Sequence, residues 1–259
     1  MSRFTTPLRR RILLALGAVA LAAPLSASAV TFNINFGGES VHGSGKITTQ
    51  SRQVAHFSGV DLSVPGEAQV RIGAGEGITI ETDDNLQPLI ETVVENGVLQ
   101  VRPAKHNLEL HTRTLRITVN AREIDHLSVG GSGSIKADDM RGHKLGLSVG
   151  GSGSIDVRSV QGDELAVSVG GSGDIKANGG AVNTVRVSLG GSGDINLSRV
   201  KAAEARVSTA GSGDTTLWVT NQLRVSSAGS GDVTYYGDPS VSKSSVGSSE
   251  VRRAGPAPR

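Results

Sequence analysis

Apolar and polar residues alternate along most of the chain, and from Leu127 to Tyr236 the alternation repeats as a unit. The triplets Leu127-Ser-Val129, Leu147-Ser-Val149, Val167-Ser-Val169 and Val187-Ser-Leu189 each run into a glycine-rich turn. A second alternating piece follows the turn, with Ile135 and Ala137, Ile155 and Val157, Ile175 and Ala177, and Ile195 and Leu197 as its apolar members. Period-two alternation is the signature of a strand with one buried face. The Gly-Ser-Gly cores begin at Gly131, Gly151, Gly171, Gly191, Gly211 and Gly229, so four spacings are 20 residues and the last is 18. A fixed period of this length marks a repeat architecture. Helical repeats need longer units, and three glycines in four positions would weaken any helix.

These features predict an all-β fold: a parallel β-helix, or β-solenoid, with coils of about 20 residues, preceded by less regular strands in a continuous sheet. Equivalent residues then stack about 4.8 Å apart. Ile135, Ile155, Ile175, Ile195, Thr215 and Val233 become one interior ladder, and the triplet residues line another wall. The glycines are expected to supply positive φ at a recurrent corner. An up-and-down antiparallel barrel or sandwich is the rival architecture, but near-identical 20-residue units favour equivalent neighbours lying parallel.

Four segments are expected: a leader at 1–29, an irregular β region of the same domain at 30–120, the repeats at 121–251 and a flexible tail at 252–259. The leader has Arg3, Arg9, Arg10 and Arg11 before the apolar run Ile12 to Leu25, then Ala27-Ser-Ala29. That is the form of a secretory signal peptide with cleavage after Ala29, which predicts a periplasmic or extracellular protein. Within 30–120, Phe32, Ile34 and Phe36 suggest an early strand. Further strands follow around Val60 to Val64, Val70 and Ile72, Ile78 and Ile80, Val98 to Val101, and Leu115 to Val119. Asp84 to Glu91, which contains Pro88, reads as a loop with room for one helical turn.

Composition changes the functional picture mainly by exclusion. The chain has 26 Lys plus Arg against 24 Asp plus Glu. Without the four leader arginines the balance is 22 against 24, so no global positive field attracts nucleic acid. The absence of cysteine excludes disulfides, thiolate metal sites and a cysteine nucleophile. No transmembrane segment is expected in the mature chain, no cofactor is implied, and self-association stays open.

Asp174, Asp194, Asp214 and Asp232 follow successive Gly-Ser-Gly turns, whereas the first two copies carry Ser134 and Ser154. Stacked carboxylates could hold calcium between coils, but turn capping and solvation account for them more simply. Ser132, Ser152, Ser172, Ser192 and Ser212 could form a hydroxyl face for a ligand, against the plainer reading that serine suits a tight turn. Trp218, Tyr235 and Tyr236 lie in the last two coils, where they could cap the stack or meet a partner. The six histidines, His42, His56, His106, His111, His126 and His143, show no metal-ligand spacing. No base, nucleophile and orienting partner can be named from the acidic pairs Asp83-Asp84, Asp138-Asp139 and Asp163-Glu164.

Several motifs lie in a specific order: Gly43-Ser-Gly45, Arg52-Gln-Val-Ala-His-Phe57-Ser-Gly-Val60, Glu81-Thr-Asp83-Asp-Asn85-Leu, Asn96-Gly97-Val-Leu99, the repeated Gly-Ser-Gly-Asp, and Tyr236-Gly-Asp-Pro239. In this the chain resembles the bacterial family of putative auto-transporter adhesins, head GIN domain, over about residues 43 to 251. The resemblance implies an exported or envelope-associated β-helical domain with adhesin-like architecture, no agreed activity and no catalytic residues. The expectation is therefore a non-catalytic binding or structural module whose partner is an envelope polymer or a protein. The alternatives are a polysaccharide-active enzyme and a calcium-stabilised structural module.

Overall fold

A computed structural model describes residues 38–258. The leader and the expected strand at Phe32 to Phe36 lie outside the described residues. The strands in chain order are β1 (Glu39–His42), β2 (Ile47–Arg52), β3 (Gly59–Leu62), β4 (Glu67–Ile72), β5 (Gly77–Asp83), β6 (Ile90–Glu95), β7 (Val98–Pro103), β8 (Leu108–His111), β9 (Arg116–Ala121) and β10 (His126–Val129). The repeats supply β11 (Ser134–Val149), β12 (Ser154–Val169), β13 (Asp174–Ala177), β14 (Gly180–Leu189), β15 (Ile195–Gly211), β16 (Thr215–Gly229), β17 (Val233–Tyr236), β18 (Ser240–Gly247) and β19 (Val251–Gly255). The expected helical turn is a single 3-10 turn at Gln87–Leu89, with Pro88 inside it.

The fold is a β-solenoid, and the coil is the repeat. β11 and β12 pair in parallel with a uniform offset of 20, so Ile135 faces Ile155, Leu147 faces Val167 and Val149 faces Val169. Pairing skips Asp138 and His143. With the glycine corner, these two interruptions give the coil three sides: a wall before the glycines (residues 144–149 in β11), a wall after them (134–137) and a short third wall (139–142). The predicted isoleucine ladder is continuous, since Ile155 pairs Ile175, Ile175 pairs Ile195, Ile195 pairs Thr215 and Thr215 pairs Val233. All of these residues are buried, and burying one isoleucine is worth roughly 2 to 3 kcal/mol. The 18-residue last interval is absorbed by register shifts between Leu197 and Glu204, away from the glycine corner.

The first half belongs to the same stack, in an order different from the sequence. β3 pairs β7 on one side and β10 on the other, while β4 pairs β9 and β11. The coil formed by residues 59–72 thus lies between one made from residues 98–121 and the first repeat. After β4 the chain builds outward through β5 to β9, then returns past that coil through buried Ile124 to continue on its other side. The columns extend accordingly. Leu99, Val60 and Leu127 are in register on one wall, and Ile80, Ile117, Ala68 and Ile135 on the other. Antiparallel strands finish this end: β6 against β7, β5 against β9, and β2 against β5.

The corner glycines have a different cause from the expected one. Among the six copies of the first motif glycine, only Gly211 (φ 155°) and Gly229 (φ 140°) have positive φ. What recurs is close approach. A Cβ on Gly151, Gly171 or Gly191 would lie 2.5, 2.3 or 2.0 Å from the carbonyl oxygen of the equivalent glycine one coil earlier. Those same carbonyls accept hydrogen bonds from the next corner, as in Ser172 N–H to Gly151 O (3.0 Å) and Ser192 N–H to Gly171 O (3.0 Å). A side chain and the corner hydrogen bond cannot occupy one space.

The interior is apolar with few exceptions. Thr209 donates to Ser227 across adjacent coils at 2.9 Å, so these buried hydroxyls satisfy each other. Thr215 interrupts the isoleucine ladder, fully buried, and its Oγ1 has no hydrogen-bond partner among the described residues. An orphaned buried hydroxyl costs about 1 to 3 kcal/mol. Thr215→Val keeps the shape and removes the orphan, so we expect it to raise the unfolding free energy by about 1 kcal/mol. Thr209→Val should lower it, because it strands Ser227. Urea denaturation of the two variants checks both signs.

Candidate interaction surface

The Gly43-Ser-Gly45 and Glu81-Thr-Asp83-Asp-Asn85-Leu motifs meet at the antiparallel end and have structural work there. Asp83, buried, accepts from Gly45 N–H at 2.7 Å and from the Thr112 hydroxyl at 2.6 Å. Asn85 accepts from Ser44 N–H at 2.9 Å and donates to the His42 carbonyl at 2.8 Å. The Ser44 hydroxyl donates to Asp84 at 2.6 Å, and this bond, aided by Lys46, holds the Asp84 carboxyl below its ordinary range. A Cβ on Gly43 would strike the Asp83 carboxylate. The His42 and His111 rings stack beside this knot, 4.8 Å apart.

At the glycine corner, Ser132, Ser152, Ser172, Ser192 and Ser212 are exposed at the apex. The acidic column beside them is engaged between coils. Asp174 Oδ1 accepts from Asp194 N–H at 2.9 Å, Asp194 Oδ1 from Asp214 N–H at 2.9 Å, and Asp214 Oδ1 from Asp232 N–H at 2.8 Å. Asp232 Oδ1 receives Glu250 N–H at 2.9 Å. Where serine stands instead, the equivalent amides, Ser154 and Asp174, donate to the backbone carbonyls of Gly133 and Gly153 at 3.1 Å. Carboxylates about 5 Å apart repel by roughly 1 kcal/mol in water, a cost that a hydrogen bond to a charged acceptor offsets. No group of three or more His, Asp or Glu side chains poised to hold a metal ion occurs among the described residues.

Two of the three aromatic residues stay together and the third turns inward. Trp218 faces outward beside Tyr236 of the next coil, with the Lys201 ammonium 5.9 Å from its ring centroid. Tyr236 borders a hollow of about 670 Å³ whose walls include Asn178, Asn196, Arg199 and Pro256. Tyr235 occupies the inward column of Leu197 and Leu217 and packs against the core.

The outer side of the wall before the glycines carries two ladders in register. One holds Ser128, Ser148, Ser168, Ser188, Ser208 and Ser226. The other, two residues earlier in each coil, holds His126, Gly146, Ala166, Arg186, Arg206 and Arg224. All three arginines are exposed. Glycine and alanine lower the floor between His126 and Arg186, leaving a shallow hollow of about 450 Å³. The His126 ring lies over Gly146, where a Cβ would come 2.6 Å from its Nδ1. Arg186 pairs with Glu164 of the preceding coil, whereas Arg206 and Arg224 form no ion pair among the described residues. The arginine row escaped the sequence reading, which centred on the triplets. Its signal is the recurrence of Arg before Val-Ser-Leu, Val-Ser-Thr and Val-Ser-Ser in three successive copies.

Comparison with known proteins agrees with this architecture. The family model described as putative auto-transporter adhesin, head GIN domain, matches residues 56–239. Among solved structures, a putative adhesin from Bacteroides fragilis aligns with a TM-score of 0.76 at 22% identity, over 83% of this chain and 100% of that one. A putative lipid binding protein from Parabacteroides distasonis aligns with a TM-score of 0.68 at 24% identity, again over 83% and 100%. A putative adhesin from Parabacteroides merdae gives 0.64 at 20% identity, over 84% and 100%. At these identities the likeness is one of fold. No curated protein sequence matches the chain.

Proposed function

Since the chain belongs to the putative auto-transporter adhesin, head GIN domain family, we propose that it is an exported, non-catalytic binding module of the bacterial envelope, with a repeating polymer as its partner. The observation that carries this reading is the register of the exposed side chains. Every coil of the repeat presents a serine at the same place on the same wall, at a spacing fixed by the sheet. A surface that repeats suits a ligand that repeats, because each added unit meets the same groups and binds at high effective concentration. A rigid stack also loses little conformational entropy on binding.

The leader at residues 1–29 supports export, and the adhesin naming of the family and of two of the structural neighbours supports binding rather than turnover. The test is a panel of purified envelope glycans and envelope extracts titrated against the protein. Saturable binding to at least one polymer, tightening with chain length, is the expected result. Failure to bind any member of the panel would overturn the binding role.

A further inference from the structure

Resting on that reading, we propose that the arginine and serine ladders on the wall before the glycines form a track for an acidic polysaccharide, laid along the solenoid axis with its carboxylates on Arg186, Arg206 and Arg224. The row from His126 to Arg224 covers five steps between coils, about 24 Å at the spacing of neighbouring strands. Guanidinium groups offer paired donors in a plane that matches a carboxylate, and they are the most weakly hydrated of the cationic side chains. The serine ladder beside them supplies hydroxyls that both donate and accept, which suits sugar hydroxyl groups. The lowered floor at Gly146 and Ala166 leaves room for the face of a sugar ring at the end of the row.

Two of the three arginines in this row have no acidic partner among the described residues. Like charges directly opposite on neighbouring strands destabilise a sheet. Arg206 pairs in register with both Arg186 and Arg224, yet only Arg186 has an acidic partner, Glu164. Glu204 stands on the same face two residues before Arg206 and forms no ion pair with it or with Arg224. A polymer carrying regularly spaced anions removes the repulsion and pairs the two unmatched cations. The balance of acidic and basic residues elsewhere in the chain argues for a local track rather than a general polyanion surface.

The test titrates the purified protein with polygalacturonate and alginate as acidic glycans, dextran as a neutral one and single-stranded DNA as a polyanion without sugar carboxylates. Binding to the acidic glycans, weakened by salt, is expected, with dextran inert and DNA at least about tenfold weaker. Arg206→Gln with Arg224→Gln should weaken glycan binding by about a hundredfold, since hydrogen bonds to charged groups are each worth about a factor of ten. The double lysine variant should lose less, and Arg252→Gln, on another wall, should bind as the parent does. The double glutamine variant should melt no lower than the parent, which separates lost binding from lost folding. Unchanged binding by that variant, or DNA binding as tight as glycan binding through the same arginines, would overturn the assignment. Binding of a neutral envelope polymer in its place would overturn the acidic track while leaving the broader binding role standing, and no binding to any polymer would end both.

Discussion

Gly191→Ala is expected to lower the unfolding free energy by about 3 kcal/mol or more, while Gly190→Ala, one residue earlier, changes it by no more than about 0.5 kcal/mol. A Cβ at Gly191 would sit 2.0 Å from the carbonyl oxygen of Gly171 and 2.9 Å from its carbonyl carbon. Both are backbone atoms, so no rotamer change can make room. The separation of the coils there is fixed by the Ser192 amide on the Gly171 carbonyl, so relief requires breaking that hydrogen bond and spreading the stack. A Cβ at Gly190 would meet only the Val169 oxygen, at 3.9 Å, an ordinary contact. Alanine there also narrows the unfolded ensemble, which favours the native state slightly. Gly131→Ala is the second control, since Gly131 opens the first copy of the corner and has nothing within 4 Å. Urea denaturation of the three variants followed by circular dichroism reads the difference. Equal losses at Gly190 and Gly191 would show that backbone conformation, rather than the neighbouring coil, demands glycine.

That contrast also marks how far the sequence could be read. A period of 20 held in phase favours stacking of equivalent residues, because near-identical neighbours lying parallel bring Ile135, Ile155 and Ile175 into one buried column. The interior ladder and the corner were legible for that reason. The cause of the glycines was not, since close approach and positive φ call for the same residue and only the distance to the next coil separates them. The coil order of the first half was also hidden. Val60 pairs Leu99 on one side and Leu127 on the other, contacts made by a chain that doubles back, and no period spans them. The Asp174 to Asp232 column showed its stacking and a capping role in the sequence, but not that each carboxylate caps the amide of the next coil, which depends on where that amide points. The arginine row was legible in principle and was masked by its neighbours, since apolar alternation draws the eye to the inward positions.

Ile155→Ala should cost about 3 to 4 kcal/mol, whereas Val251→Ala, at the far end of the same ladder, should cost less than about 1 kcal/mol. Ile155 is 1% exposed and pairs Ile135 on one side and Ile175 on the other, so truncation opens a cavity bounded by two coils. Val251 is only partly buried, and among the described strands its own strand pairs on one side alone, with β17. In a stack where each coil touches only its neighbours, stability is a sum of coil and interface contributions. A central defect therefore weakens the coupling between the two halves, while a terminal one merely frays the end. The sole tryptophan, Trp218, lies in the coil of β16, well along the stack from Ile155, and reports that side by itself. If the stack unfolds as one unit, tryptophan fluorescence and circular dichroism of Ile155→Ala fall to the same lower urea midpoint. Should the fluorescence midpoint stay at the parental value while circular dichroism drops early, the coils on either side of Ile155 fold independently. A loss below about 1 kcal/mol at Ile155 would contradict its place in the interior.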